Sequence, residues 1–173
     1  MRVAEKFRQR SVTRAIADAA RGFWGVWLTE RSMRIHLVLG ALVVLAGLVA
    51  GLDAIEWVAV GSAISAVIFA EIFNTAVEAA VDLASPRYDP LAGRAKDTAA
   101  AAVFTAAFYA IAAGLVVFWA HRGLLVDIPG AVRAAWAARP VTVAAAATMT
   151  VVLAVAGVMV PRGRWPAGPR RRH

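Results

Sequence analysis

Residues 71–97 read EIFNTAVEAAVDLASPRYDPLAGRAKD, and the first half of this stretch decides the fold. It continues an apolar run that starts at Trp57, so carboxylates stand where a membrane-spanning helix ordinarily carries hydrocarbon. Glu71, Asn74, Glu78 and Asp82 are spaced 3, 4 and 4 residues apart. At about 100° per helical residue they share one stripe roughly 80° wide. Ile72, Phe73, Ala76, Val77, Ala79, Ala80 and Val81 surround them. A charge at the bilayer centre costs on the order of 3 kcal/mol on insertion scales. Several on one face therefore imply a protein-lined or wet site near the membrane surface, with cations as partners.

The composition agrees with an all-α integral membrane protein. Hydrophobic residues make up 61% of the 173-residue chain and charged residues 17%, against about 45–50% and 25% in soluble domains. Mean hydropathy is +0.66. Without cysteine, disulfide and thiol chemistry are excluded. A net charge of +8 would suit nucleic acid in a soluble protein. Here the basic residues flank apolar runs, so anionic lipid and topology account for them and no nucleic-acid partner is expected. The first twenty residues are polar and do not read as a signal peptide.

Outward from the acidic stripe, residues of about 12–30 suit an amphipathic helix lying on a membrane surface, its arginines toward head groups and Trp24 and Trp27 at the interface. Transmembrane helices are expected at about 34–52, 57–83 and 98–120, with Asp53 to Glu56 as a tight polar turn. Residues 84–96 read as a loop, broken by Pro86, Asp89, Pro90 and Gly93, with Asp97 as the cap of the third span. Alanines in that span favour close packing between helices or subunits. Residues 1–120 thus form one domain. Residues 121–173 form an extension with a short interfacial helix at 131–138, a fourth span at about 140–160 and a basic tail.

Lysines and arginines set the orientation. Residues 2–34 hold eight, 84–97 hold three and the tail holds five, while 53–56 hold none and 121–139 hold three. With four spans, the first three segments share a side. Both termini and the 84–97 segment are expected in the cytoplasm, along with the acidic half of the second span.

Glu30 and Glu78 can both reach that cytoplasmic interface. Two carboxylates, phosphate oxygens and water make an ordinary Mg2+ site. Lys96 and the neighbouring arginines suit the phosphates of a nucleotide. Alternatively, Glu78 forms a salt bridge with Arg34 or Lys96. Glu71 lies deeper, in an apolar setting, where it can take a proton from a hydroxyl at head-group level or simply bond a neighbouring helix. Asn74 can orient that hydroxyl or Glu71. His36 is equally a phosphate ligand or an interface anchor. Walker A and zinc-ligand spacings are absent from the sequence.

The pattern Glu71-x-x-Asn74-Thr75-Ala76-Val77-Glu78-x-x-Val81-Asp82, followed by Gly93-Arg94-Ala95-Lys96-Asp97 and an alanine-rich span, resembles the prokaryotic diacylglycerol kinase family. That family includes the undecaprenol kinases of Gram-positive bacteria. Glu30-Arg31-Ser32-Met33-Arg34-Ile35-His36 is similar to the E-x-N-x-R-I-H motif of the undecaprenol branch. The resemblance covers about residues 10–120. It implies a small lipid kinase of the bacterial inner membrane, using ATP and Mg2+, with a surface helix, three transmembrane helices and composite sites in a homotrimer. By position it implies Glu71 as general base on the lipid hydroxyl and Glu30 and Glu78 on metal and nucleotide. It places Lys96 and Asp97 on the nucleotide, Asn74 and Asp82 in support, and Arg10 and Arg14 near nucleotide or lipid. Arg87, Tyr88 and Asp89 are further candidate nucleotide contacts. Three departures stand out. Ser32 replaces the motif asparagine, Ala100 replaces a serine of the diacylglycerol branch, and SPRYDP lacks the Glu-Tyr-His of the enterobacterial enzyme.

The expected activity is phosphorylation of a membrane lipid alcohol, undecaprenol before diacylglycerol. The alternatives are a small transporter that uses Glu71 as a proton site, and a degenerate kinase acting as a scaffold.

Overall fold

A computed structural model describes residues 12–87 and 89–159, and these form helices without a strand. In chain order they are α1 (Val12–Thr29), α2 (Arg31–Ala50), α3 (Ala54–Ala84), α4 (Pro90–Ala120), a 3-10 turn (Arg122–Val126), α5 (Ile128–Ala138) and α6 (Pro140–Met159). Helices α2, α3, α4 and α6 are long and apolar enough to cross a membrane. At 20 residues each, α2 and α6 measure about 30 Å, the thickness of the hydrocarbon core. At 31 residues each, α3 and α4 run about 46 Å and project well beyond it.

Local chemistry sets the helix ends. Gly51, at φ 72°, is in the left-handed conformation, and the N–H groups of Gly51 and Leu52 both donate to the Gly47 carbonyl. This is a glycine-dependent C-terminal cap. Asp53 and Glu56 then form a reciprocal capping box, with bonds of 2.8 and 2.9 Å. The capping box starts α3 at Ala54, so Glu56 belongs to the first helical turn and not to the expected polar turn.

The largest departure from expectation is the start of α4. It begins at Pro90, about two turns before Thr98. Asp89 is its cap, accepting from the Leu91 N–H at 2.7 Å, and Pro90 occupies the first turn. Proline there loses no helical hydrogen bond, and its fixed φ suits a helix start. Asp97 is therefore an interior residue. Gly93 also lies inside the helix, where glycine costs only about 1 kcal/mol relative to alanine.

Helix α3 packs along α4 over most of its length, and α2 lies between α3 and α6. Gly157 is beside Arg34 and Arg139 is close to Gly51, so α6 runs antiparallel to α2. At the end of the bundle away from α1, Leu52, Val60 and Val117 form a core with Trp57, Ile64 and Phe118 around it. His121 and Glu56, 2.9 Å apart, tie the end of α4 to the start of α3 there. At the opposite end α1 rests on α2 and α3 through Val26 and Trp27. Trp24 is half exposed and stacks on Trp27, which is buried in protein. Phe104, Phe108, Leu115 and Trp119 are exposed on α4. An apolar surface of that kind suits hydrocarbon or another helix, not water.

Candidate functional site

Glu30 is the single residue between α1 and α2, with extended backbone angles of φ −99° and ψ 122°. Its N–H closes α1 by donating to the Val26 carbonyl at 2.8 Å. Its carboxylate makes no capping bond and faces a cavity of about 690 Å³ between α1 and α3. Thr75, Glu78 and Asp82 line the α3 wall of that cavity. The helical spacing of the acidic stripe therefore brings two of its carboxylates opposite Glu30.

The carboxylates do not share partners. Asn74 donates from Nδ2 to Glu78 Oε1 at 2.8 Å, so it orients Glu78 and not Glu71. Its Oδ1 is buried with no hydrogen-bond partner among the described residues. Lys96 lies 2.5 Å from Asp82, across the α3–α4 turn. The early start of α4 places it there, so Lys96 pairs with Asp82 and not with Glu78, the alternative raised above. Lys96 brings a cation to the cavity edge through Asp82. A group of three potential metal ligands is absent from the described residues. Glu30 and Glu78 on facing walls still fit a cation that takes its remaining ligands from phosphate and water.

Glu71 is separate from this cavity. It is 2% exposed and packs against α2. Ser32 Oγ donates to its Oε2 at 2.7 Å. His36 Nε2 lies 3.1 Å from Oε1, within ion-pair distance though not aligned as a hydrogen bond. Ser32 and His36 are four residues apart on α2, so one helix face presents both to the carboxylate. Glu71 is thus held across a helix interface, and the substituted motif position contacts it directly. The sequence reading singled out both residues but assigned neither to Glu71. Their i, i+4 spacing was the available signal. His36 also ends a second, almost wholly apolar cavity of about 650 Å³. This groove runs between α2, α3 and α4 to Arg122 and Leu125 at the far end of the bundle.

The remaining candidates are more scattered. Arg14 is exposed on α1, Arg87 is exposed before α4, and Asp97 is exposed on α4. Asp89 uses its carboxylate as a cap. Arg10 and Tyr88 lie outside the described residues.

Residues 17–118 match the prokaryotic diacylglycerol kinase family. The chain belongs to that family. This diacylglycerol kinase family member is 35% identical to the undecaprenol kinase of Bacillus subtilis (strain 168) over 105 residues, which cover 61% of this chain and 85% of that protein. It is 33% identical to the diacylglycerol kinase of Escherichia coli (strain K12) over 112 residues, 65% of this chain and 92% of that one. With the diacylglycerol kinase of Synechocystis it shares 39% identity over 87 residues, half of each chain. No solved structure matches it significantly. Both cavities lie almost entirely within the matched range of the family, and α5 and α6 lie beyond it.

Proposed function

We propose that this protein transfers the γ-phosphoryl group of ATP to a membrane lipid alcohol, undecaprenol in preference to diacylglycerol. One juxtaposition carries the reading. The apolar groove touches α3 at Ile64 and Val67, the acidic cavity touches it from Ile72 to Asp82, and buried Glu71 stands between the two stretches. A kinase that joins a charged nucleotide to a greasy alcohol needs those two environments within one bond length of transfer. Family membership and identity to the undecaprenol kinase of Bacillus subtilis support the same reaction.

In this reading the nucleotide enters the acidic cavity. Glu30 and Glu78 would hold Mg2+, which when bound neutralises triphosphate charge. Asn74 keeps the Glu78 carboxylate oriented. Lys96 faces the phosphates, and Arg14, Arg87, Asp89 and Asp97 are candidate nucleotide contacts, as are Arg10 and Tyr88 on the resemblance alone. Asp82 holds Lys96 in place. The hydrocarbon chain lies in the groove with its hydroxyl at the His36 end. Glu71 takes the hydroxyl proton as general base, and the oxygen attacks phosphorus in line.

Lysine and arginine counts support a bacterial inner-membrane setting with both termini and the acidic cavity on the cytoplasmic side. Exposed Phe69 and Phe73 on α3 and the apolar face of α4 support a homotrimer, the assembly the resemblance implies. Residues 1–120 then form the kinase domain and residues 121–173 an accessory extension.

The test is transfer of labelled phosphate from ATP in detergent micelles, with undecaprenol and diacylglycerol compared. Transfer is expected with undecaprenol, and Glu71→Gln is expected to lose at least about a hundredfold. A folded oligomer that phosphorylates neither lipid would refute the reading.

A further inference from the structure

We propose that α5 is a lipid-docking helix, lying on the membrane surface at the end of the bundle away from the acidic cavity and binding anionic phospholipid head groups there. This role is separate from phosphoryl transfer and requires only that α4 and α6 cross the membrane. The chain order supplies the first constraint. The 3-10 turn and its two flanking residues separate α4 from α5, and Arg139 alone separates α5 from α6. Two spanning helices therefore hold both ends of an 11-residue helix at one membrane face. Arg139 lies close to Gly51 at the α2–α3 hairpin, so that face is opposite the one where Glu30 and Glu78 line their cavity.

Helix α5 packs on α2 and α6 with Ala135 buried and Ala131 partly so. Beside these alanines, Ile128, Val132 and Trp136 are exposed. Spaced four apart, they form a stripe about 80° wide. A short helix tethered at a membrane face buries such a stripe at the head-group boundary, where tryptophan is also favoured. The charges name the lipid. This end of the bundle carries Arg122, Arg133 and Arg139 against Asp53, Glu56 and Asp127. The carboxylates are used internally. Asp127 accepts from the Gly130 N–H at 2.8 Å, Asp53 and Glu56 form their capping box, and Glu56 also faces His121. None of the three arginines forms a salt bridge among the described residues. Arg122 lies over the Trp119 ring, 5.3 Å from its centroid, and donates to the Trp119 carbonyl at 3.0 Å, which holds its charge at the rim. Arg133 stands about 100° round from Val132, at the polar edge of the stripe. Guanidinium groups beside an apolar stripe match a phosphodiester on acyl chains. A lipid with net negative charge fits best, since a zwitterionic head group brings its own cation to the phosphate.

The chain contains no cysteine, so Val132→Cys on the stripe and Ala137→Cys on the polar side each give a single labelling site. The experiment places a bimane label at one site of the full-length protein in phosphatidylcholine nanodiscs. Quenching is measured with aqueous iodide and with phosphatidylglycerol or phosphatidylcholine carrying a nitroxide near the head group, at equal mole fraction. The lipids are expected to quench the label at 132, and iodide the label at 137. Phosphatidylglycerol should associate with the 132 site about fivefold more strongly than phosphatidylcholine, the factor one arginine supplies at an anionic surface. Replacing Arg122, Arg133 and Arg139 together by glutamine should remove that preference. A label at 132 quenched by iodide and not by lipid would put the stripe in water and overturn the proposal. One shielded from both would put it against a second copy or another protein, and would overturn it equally. So would equal quenching by the two lipids, or a preference that survives the triple substitution. Thermal melting and gel filtration check folding. If the triple variant does not fold, Arg133→Gln at its exposed position decides, by whether the preference falls.

Discussion

Ser32 is the residue whose role changes most between sequence and structure. As a departure from a motif asparagine it suggests a lost contact. In the folded chain it makes the 2.7 Å bond that fixes Glu71. Its hydroxyl is one of two groups facing a buried carboxyl, and removing it leaves a buried oxygen unpaired at a cost of about 1–3 kcal/mol. We expect Ser32→Ala to lower kcat roughly tenfold, the equivalent of about 1.4 kcal/mol, with little change in the ATP KM. Ser32→Asn restores a donor and should recover most of the rate. Steady-state kinetics on both lipids would show it. Asn74 and Glu78 make a second pair, joined at 2.8 Å. Because Asn74 acts through Glu78, the Asn74→Ala and Glu78→Gln effects should not add. The double variant is expected to be no slower than the worse single one in the same assay, and additive losses would show that Asn74 acts independently.

At the scale of elements, the turns decide what faces what. The α2–α3 hairpin depends on two glycines for different reasons. Gly51 supplies the left-handed residue of the cap, and alanine there costs about 1–2 kcal/mol. Gly47 lets α3 approach, since a Cβ at that position would lie 2.9 Å from the Trp57 ring and 3.3 Å from Leu52. We expect Gly47→Val to lower stability by about 1–3 kcal/mol through overpacking, and Trp57→Phe in the same chain to recover part of it. Thermal unfolding in a mild detergent measures both. Asp89 and Pro90 do comparable work for α4. Had the helix begun at Thr98, Lys96 would belong to a loop. Its pairing with Asp82 instead follows from a helical Lys96 crossing the end of α3.

The whole molecule has more than a kinase-sized bundle. Helix α6 lies along α2, the helix that supplies Ser32 and His36, and covers Arg34, which is 7% exposed. The family match covers residues 17–118 and ends before α5 and α6. We expect those helices to support α2 and not to take part in the chemistry. A chain ending at Gly123 should still phosphorylate lipid, with a lower melting temperature and a larger kcat loss for Ser32→Ala than in the full chain. Parallel melting and transfer assays test this, and a fully stable truncated chain would remove α6 from the support of the site.

The sequence by itself determined the membrane class, the number of long apolar helices, and the family, because hydropathy and residue spacing are local properties that survive in one dimension. The acidic stripe was legible for the same reason: Glu71, Asn74, Glu78 and Asp82 sit at helical intervals whatever packs on them. Only the tertiary structure decided how the stripe divides. Glu71 faces α2 and is buried, while Glu78 and Asp82 face α1 across a cavity. That division depends on where the break at Glu30 turns the chain and on how α2 crosses α3 at Gly47. It brings Ser32 and His36 to Glu71 across 39 and 35 residues of chain. Spacing along one helix carries no information about such a meeting, since it is set by the packing of two.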